Sequence, residues 1–140
     1  MTPPTRVDKV VELRERAEDD ALCGLARARA TVEKAQELLS QALAVTRQDA
    51  RASGPVELWH VDDLARRRAL QTVRAAESDV QAATKGEATA RDGYTTARQE
   101  AQVVRRVQER RRTEIQVELE KRERRDVDEL ATLRFNTAAR

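Results

Sequence analysis

Large apolar side chains are scarce in this sequence. Aromatic residues make up 2% of its 140 residues, with one Phe, one Tyr and one Trp, whereas 37% of the residues are charged. A spherical domain of this length needs a thick core of large apolar side chains, which an alanine-rich hydrophobic fraction cannot supply. It can fill a thin seam between helices, and Ala, Arg, Glu, Gln and Leu all favour helix. Disorder is the competing interpretation of so polar a chain.

The residues that most enzymes need are also missing. His60 is the one histidine and Cys23 the one cysteine, which excludes imidazole-rich metal sites. Nothing beside Cys23 suggests an activated thiolate, and no glycine-rich phosphate loop occurs. The sequence therefore predicts a protein that is not an enzyme and holds neither a cofactor nor a metal ion.

Membrane and nucleic-acid binding find little support. No stretch approaches the roughly 18 consecutive apolar residues of a membrane span, and the polar start, residues 1–4, lacks the apolar region of a secretory signal. A single cysteine cannot form an internal disulfide, which fits a reducing cytosol. The net charge is only +2, and glutamates interleave with the arginines after residue 105, so a nucleic-acid partner is disfavoured. We expect a cytoplasmic protein.

The helix-favouring sequence is broken decisively at one place, Ala52-Ser53-Gly54-Pro55. Glycine suits the end of one helix and proline the first turn of the next. The sequence therefore predicts an all-α fold, a two-helix antiparallel coiled-coil hairpin with a longer second helix, in which residues 1–140 form a single domain. Helix one covers about residues 5–52, the turn 53–55, and helix two about 55–137.

Both predicted helices carry small and apolar residues at alternating spacings of three and four, although Arg14 and Glu18 interrupt the pattern. This period is typical of a left-handed coiled coil and argues against disorder. Folding about Gly54 predicts that Val7 lies near residues 101–104. The larger side chains expected in the seam are Leu25, Val32, Leu39, Val73, Val80, Tyr94 and Val104.

In this register helix two extends beyond helix one. From Arg105 onward it has no intramolecular partner, and its apolar residues become sparse. A long unpaired helix of mixed charge is stabilised by ion pairs one turn apart or by a binding partner. We therefore expect this end of helix two to contact another protein, with a solvated helical tail as the alternative.

Glycines inside the predicted helices mark a weak zone. Gly24 falls opposite Gly86 in the predicted register, and Gly93 follows one heptad later. Each costs about 1 kcal/mol relative to alanine. Neutral drift or close backbone contact explains them without a function, and a bend in the hairpin is the functional interpretation.

Motifs along helix two occur at spacings shared with a known family. Trp59 follows the tight turn near residue 54, and Gln108-Glu109-Arg110 lies further along the chain. Asp128-Glu129-Leu130-Ala131 and Arg134 come near the end. The separations from Trp59 to both motifs match the layout of the FliJ family without gaps. The sequence thus resembles FliJ, a small stalk-like component of the flagellar type III export ATPase complex, by motif over about residues 56–137.

The resemblance implies a stalk-like protein of bacterial flagellum biogenesis, peripherally associated with the inner face of the cell membrane through the export apparatus. It implies three partners, namely a hexameric export ATPase, a membrane export-gate protein at the hairpin tip, and export chaperones. The gate contact is expected at Trp59, Ala65 and Ala69, although the family's tip is usually richer in aromatic and large apolar residues. Together with the uncovered end of helix two, the resemblance predicts an ATPase contact at Gln108, Glu109, Arg110, Arg111, Ile115, Leu119, Asp128, Glu129, Leu130 and Arg134.

Other classes of protein fit the same pattern. A generic structural coiled coil needs only the hairpin, and a self-associating dimer or bundle buries the uncovered helix against another copy. The injectisome counterparts of the stalk share its architecture. Co-purification with a hexameric ATPase separates an export component from a generic coiled coil, and a mass measurement separates a monomer from a bundle.

Overall fold

The computed structural model of this chain describes residues 6–48 and 55–138. They form two helices, α1 over Arg6–Gln48 and α2 over Val56–Ala138. The helices pack against each other in opposite directions, and α2 has 83 residues against 43 in α1. The predicted all-α antiparallel hairpin with a longer second helix is confirmed.

The predicted turn is described only in part, because Ser53 and Gly54 lie outside the described residues. Pro55 directly precedes α2, and its carbonyl oxygen accepts a hydrogen bond from the Leu58 N–H at 2.9 Å. This position suits proline, which has a fixed φ and no N–H to leave unsatisfied. Glu57 lies in the first turn of α2 and Arg47 in the last turn of α1, where each charge complements the helix dipole.

Contacts between the helices divide the chain into two compact units. We call residues 19–96 the central unit, and residues 1–18 together with 97–140 the terminal unit. Each unit contains one stretch of α1 and one of α2. That residues 1–140 behave as a single domain stays a prediction.

A seam of small and apolar side chains holds the central unit together. Its most buried member is Leu25, which is 4% exposed. Alanines at alternate positions let the helices approach closely but bury little apolar area, so the seam is narrow. The buried residues are Leu25, Val32, Ala35, Ala42, Val73 and Ala76. Three further predicted seam residues, Leu39, Val80 and Tyr94, are half-buried.

The terminal unit has a thinner apolar contact. Val11 and Ala101 are buried, and the predicted seam residue Val104 is half-buried. Beside them Arg14 forms an ion pair with Glu100. Charged side chains therefore take positions that apolar residues occupy in the central unit.

The two helices pair in a different register from the predicted one. Arg14 contacts Glu100, and Arg29 contacts Glu87 at 3.5 Å. These partners lie about two helical turns further along α2 than folding about Gly54 predicts. The reason lies at the start of α2, where residues 56–68 contribute no buried side chain, so pairing begins well after the turn. The prediction that α2 is unpaired from Arg105 onward is wrong, as the ion pairs below show.

Gly24, Gly86 and Gly93 lie in continuous helix. None of the described glycines has a positive φ, and a Cβ built on Gly24, Gly86 or Gly93 meets no atom within 4 Å. Close backbone contact therefore does not explain them. The hydroxyls of neighbouring threonines donate hydrogen bonds to helix carbonyl oxygens one turn earlier. Thr89, for example, donates to the Lys85 carbonyl oxygen at 3.1 Å, so its hydroxyl is satisfied within the helix.

Candidate partner-binding surfaces

Arg105 is the centre of the polar contact between α1 and α2 in the terminal unit. Its Nε donates to Glu15 at 2.9 Å, and a terminal nitrogen donates to Glu18 at 3.2 Å. The side chain of Glu18 is only 16% exposed. One guanidinium thus bridges two carboxylates that lie one turn apart on α1, a geometry that suits the planar fork of arginine.

These carboxylates also raise the pKa of Arg105 above its ordinary value. The largest cause is the hydrogen bond to Glu15; the charges of Glu18 and Glu15 act in the same direction, and desolvation opposes them. A raised pKa in the folded protein means that the contact is fully present below the ordinary arginine pKa and is lost only at higher pH. Arg105 therefore stays charged across the physiological range.

Asp8 makes a second polar contact with α2. It accepts a hydrogen bond from Gln108, and Arg112 lies 3.4 Å from the same carboxylate oxygen. Gln108 is half-buried by this arrangement. Sequence reasoning missed these contacts, although Glu18 at a seam position of α1 was a signal that a cation of α2 would face it.

The C-terminal part of α2 is uncovered. Every described residue from 116 to 138 is exposed, and large apolar side chains are among them. We call residues 116–135 the C-terminal surface. Its exposed large apolar residues are Val117, Leu119, Val127, Leu130, Leu133 and Phe135. Exposed apolar side chains that lie together mark interaction sites more often than isolated ones do, so their placement around the helix matters.

The unbroken helix places the apolar residues of this segment on two sides. Leu119, Leu130 and Leu133 are separated by nearly whole helical turns, so they share one side together with half-buried Ile115. Val117 and Phe135 lie on the opposite side by the same count. A partner could therefore bury the leucine side while the rest of the helix keeps its charged groups in water.

The predicted ATPase-contact residues differ in how accessible they are to a partner. Gln108 is held by Asp8, and Arg111 pairs with Glu114 at 3.1 Å. Ile115 is half-buried. The predicted residues that are exposed on α2 are Glu109, Arg110, Arg111, Leu119, Asp128, Glu129, Leu130 and Arg134.

A second exposed apolar surface lies at the start of α2. Trp59 is 59% exposed, Ala65 is exposed, and Ala69 is half-buried. Sequence reasoning judged this region poor in large apolar residues because it considered Ala65 and Ala69. The structure adds four exposed neighbours, Val56, Leu58, Val61 and Leu64.

None of the helices described over residues 6–48 and 55–138 has a stretch long and apolar enough to span a membrane. Within the same residues, His, Cys, Asp and Glu side chains form no group of three or more placed to hold a metal ion.

A paired helical hairpin with an uncovered helical end defines the class of all-α coiled-coil proteins. The family described as flagellar FliJ protein matches residues 4–140, essentially the whole sequence, and the chain belongs to that family. It is a family of non-catalytic, flagellar export-related proteins. Comparison with curated proteins and with solved structures gave no match.

Proposed function

We propose that this protein is a non-enzymatic, stalk-like component of the flagellar type III export apparatus, and that the C-terminal surface binds the hexameric export ATPase. The observation that carries the proposal is the exposure of every described residue from 116 to 138 in a chain whose family is flagellar. Covering the apolar side chains of a long exposed helix with a partner removes them from water, which lowers the free energy.

Burial supplies the affinity in this proposal. Leu119 is 42% exposed, Leu130 60% and Leu133 62%, and burying such a side chain fully contributes about 1.5–3 kcal/mol. The charged residues around them contribute less, because exposed ion pairs are worth under about 1 kcal/mol each. Arg110, Asp128 and Glu129 then orient the helix and speed its association.

The other proposed contacts follow from the family and from the second apolar surface. Trp59, Leu58 and Leu64 are large and exposed, so the start of α2 offers the side chains that a membrane export-gate protein would bury. Export chaperones are the third proposed partner. Such contacts would hold the protein at the cytoplasmic face of the cell membrane.

Deleting residues 116–140 tests the ATPase contact. The truncated chain keeps Arg105, Gln108 and Arg112 with their partners on α1, so its helical signal per residue and its unfolding transition should be unchanged. Co-purification with the hexameric ATPase should be lost. Full binding by the truncated chain would place the contact elsewhere and overturn the assignment.

A matched pair of substitutions tests the leucine side. Leu119→Asp should weaken ATPase binding by about tenfold or more, since it removes apolar burial and places a charge in the contact. Val117→Asp is the control, because Val117 is also 42% exposed and lies on the opposite side. Equal losses for the two variants would contradict a contact on the leucine side.

Stimulation of ATP hydrolysis is a separate part of the proposal. Adding the full-length chain to the ATPase should raise its steady-state hydrolysis rate, and Leu119→Asp should require more protein for the same rise. A flat titration despite demonstrated binding would leave a scaffolding role.

A further inference from the structure

The leucine side of α2 has a symmetric order of apolar and charged residues. From Ile115 to Leu133 it covers about five whole helical turns, so it runs straight along the helix axis. Two apolar residues stand at each end of this stretch, and one cation and one anion stand in its middle. In chain order the residues are Ile115, Leu119, Arg122, Asp126, Leu130 and Leu133.

The two central charges restrict what can cover this side. Arg122 and Asp126 are exposed, and neither belongs to the ion pairs found among the described residues. An occupant has to place an anion opposite Arg122 and a cation opposite Asp126, because a buried charge without a counter-charge is costly. The leucine side itself, read in the opposite direction, supplies these groups in this order, with apolar residues before and after them.

We propose that the leucine sides of two copies of this chain pair in antiparallel orientation and form a two-fold symmetric dimer. Each apolar residue then faces an apolar residue of the other copy, and each central charge faces an opposite charge. The midpoint of every such pair falls at about residue 124, so a single two-fold axis generates all of them. The pairs between copies are Ile115 with Leu133, Leu119 with Leu130, and Arg122 with Asp126.

Other alignments of two copies are unfavourable. In a parallel pair Arg122 faces Arg122 and Asp126 faces Asp126, so like charges repel. An antiparallel pair shifted by one heptad places Arg122 opposite Leu119 or Leu133, which desolvates the guanidinium without a counter-charge. The central charges therefore fix both orientation and register, a role that polar residues in the seams of coiled coils also have.

The pairing also continues the contact between the two helices of one chain. Gln108, which contacts Asp8 of α1, lies on the same side of α2 as Ile115. Arg112 still reaches Asp8 at 3.4 Å, and every described residue from 116 onward is exposed. A second copy therefore covers the stretch of α2 that follows the contact with α1. Beyond Leu133 the last turn of each α2 approaches the start of the other copy's α1, which limits the pairing to residues 115–133.

The small area makes this dimer weak. The paired stretch is about 28 Å long and a helix is about 10 Å wide, so each copy offers on the order of 300 Å², less than the roughly 800 Å² per partner of a standard interface. At one edge Glu118 of one copy lies near Glu129 of the other, and Arg122 and Arg125, one turn away on the same helices, offset this repulsion. The dimer should therefore form only at high concentration.

The pairing covers the same leucines as the proposed ATPase contact. A paired chain therefore cannot bind the ATPase through this surface, so self-association would regulate that contact. This consequence rests on the proposed function, whereas the pairing itself does not.

Sedimentation equilibrium of the full chain alone tests the pairing. No ATPase is present, so the outcome is independent of the proposed function. The wild-type chain should form a dimer between about 1 μM and 1 mM. Leu119→Asp should raise the dimer dissociation constant about a hundredfold or more, because it places a charge in the interface twice. Val117→Asp is the matched control, since both residues are 42% exposed but Val117 lies on the opposite side of the helix. A wild-type chain that stays monomeric throughout, or equal effects of the two variants, would overturn the proposal.

Charge exchange and cross-linking test the orientation. Asp126→Arg should raise the dissociation constant about tenfold or more, because it faces cations toward each other, and the double variant Arg122→Asp with Asp126→Arg should restore it. Cys23 is exposed, so cross-linking uses a Cys23→Ser background. Chains carrying Ile115→Cys, mixed with tagged chains carrying Leu133→Cys, should form disulfides between the two kinds of chain upon oxidation. Cross-links mainly within one kind of chain, or no restoration by the double variant, would rule out the antiparallel pairing.

Discussion

The central and terminal units are built from the same two helices but are held together by different forces. Among the described residues, six buried apolar residues form the seam of the central unit, whereas the terminal unit buries Val11 and Ala101 and adds ion pairs around Arg14 and Arg105. Hydrophobic burial scales with area and is insensitive to moderate salt, while exposed ion pairs weaken as salt screens them. The same fold therefore contains a stable part and a part whose pairing responds to its surroundings.

The difference also separates two uses of α2. Where α2 lies against α1 it supplies Val73 and Ala76 to the seam, and beyond Ile115 it keeps its leucines exposed. A helix as long as α2 satisfies its own backbone groups, so it persists without a partner along its whole length when its residues favour helix. The intramolecular seam can thus be short while the exposed helix remains available for binding.

The largest expected effect comes from removing the best-buried side chain of the central seam. Leu25→Ala should lower the free energy of unfolding by about 3 kcal/mol, because it deletes apolar atoms and leaves a cavity that the alanine-rich neighbours cannot fill. Thermal or urea unfolding followed by circular dichroism, at one fixed protein concentration, measures the change.

Two other leucine-to-alanine substitutions on α1 test whether the loss of stability follows burial. Leu22→Ala should change stability by less than about 0.5 kcal/mol, because Leu22 is exposed. Leu39→Ala should fall between the two, since Leu39 is half-buried. If Leu22→Ala were as destabilising as Leu25→Ala, the seam would have been assigned to the wrong face of α1.

A smaller effect, of opposite sign, is expected at Gly93. Gly93→Ala should stabilise the protein by about 0.5–1 kcal/mol, because alanine loses less backbone entropy in a helix and its Cβ meets no atom within 4 Å. The measurement is again chemical unfolding. Destabilisation by alanine would indicate that α2 needs glycine here for a bend, which the steric environment alone does not require.

The regular part of the fold followed directly from the sequence. The three-and-four spacing of apolar residues predicted both helices, and each of the predicted larger seam residues, from Leu25 to Val104, is buried or half-buried. The register did not follow, because the sequence shows where a chain reverses but not how many residues of α2 pass before pairing begins. An offset of two turns preserves the heptad pattern and is therefore invisible to it.

The same limitation affected the candidate site. Gln108 was predicted to be free for a partner, but the actual register places it against Asp8. Charged residues at seam positions were interpreted as interruptions, although Glu18 is the partner of Arg105. Such pairs depend on which turns face each other, so periodicity alone could not reveal them. The exposure of Leu119 and Leu130 could be predicted without the register, because these residues lie beyond the part of α2 that pairs with α1.

The smallest expected effect, confined to the terminal unit, distinguishes the two forces most directly. Arg105→Gln keeps a long polar side chain but removes the charge that bridges Glu15 and Glu18. Hydrogen exchange of the α1 amides over residues 10–18 should become a few-fold faster at low salt, because local opening no longer separates these ion pairs. Exchange over residues 25–42 in the central unit should not change. At about 1 M salt, where the screening length is about 3 Å, the wild type should approach the variant.

Arginine stays protonated at these pH values, and the neighbouring carboxylates raise the pKa of Arg105 further. The wild-type exchange protection that depends on its charge should therefore not change as pH rises from 7 to 9, after correction for the intrinsic rate. Arg110→Gln is the matched control, since Arg110 is exposed and belongs to none of the ion pairs found among the described residues. If Arg110→Gln loosened residues 10–18 as much as Arg105→Gln, net charge would be the cause. If high salt left the difference between Arg105→Gln and the wild type intact, packing of the arginine stem would hold the terminal unit, and the contrast between the two units would disappear.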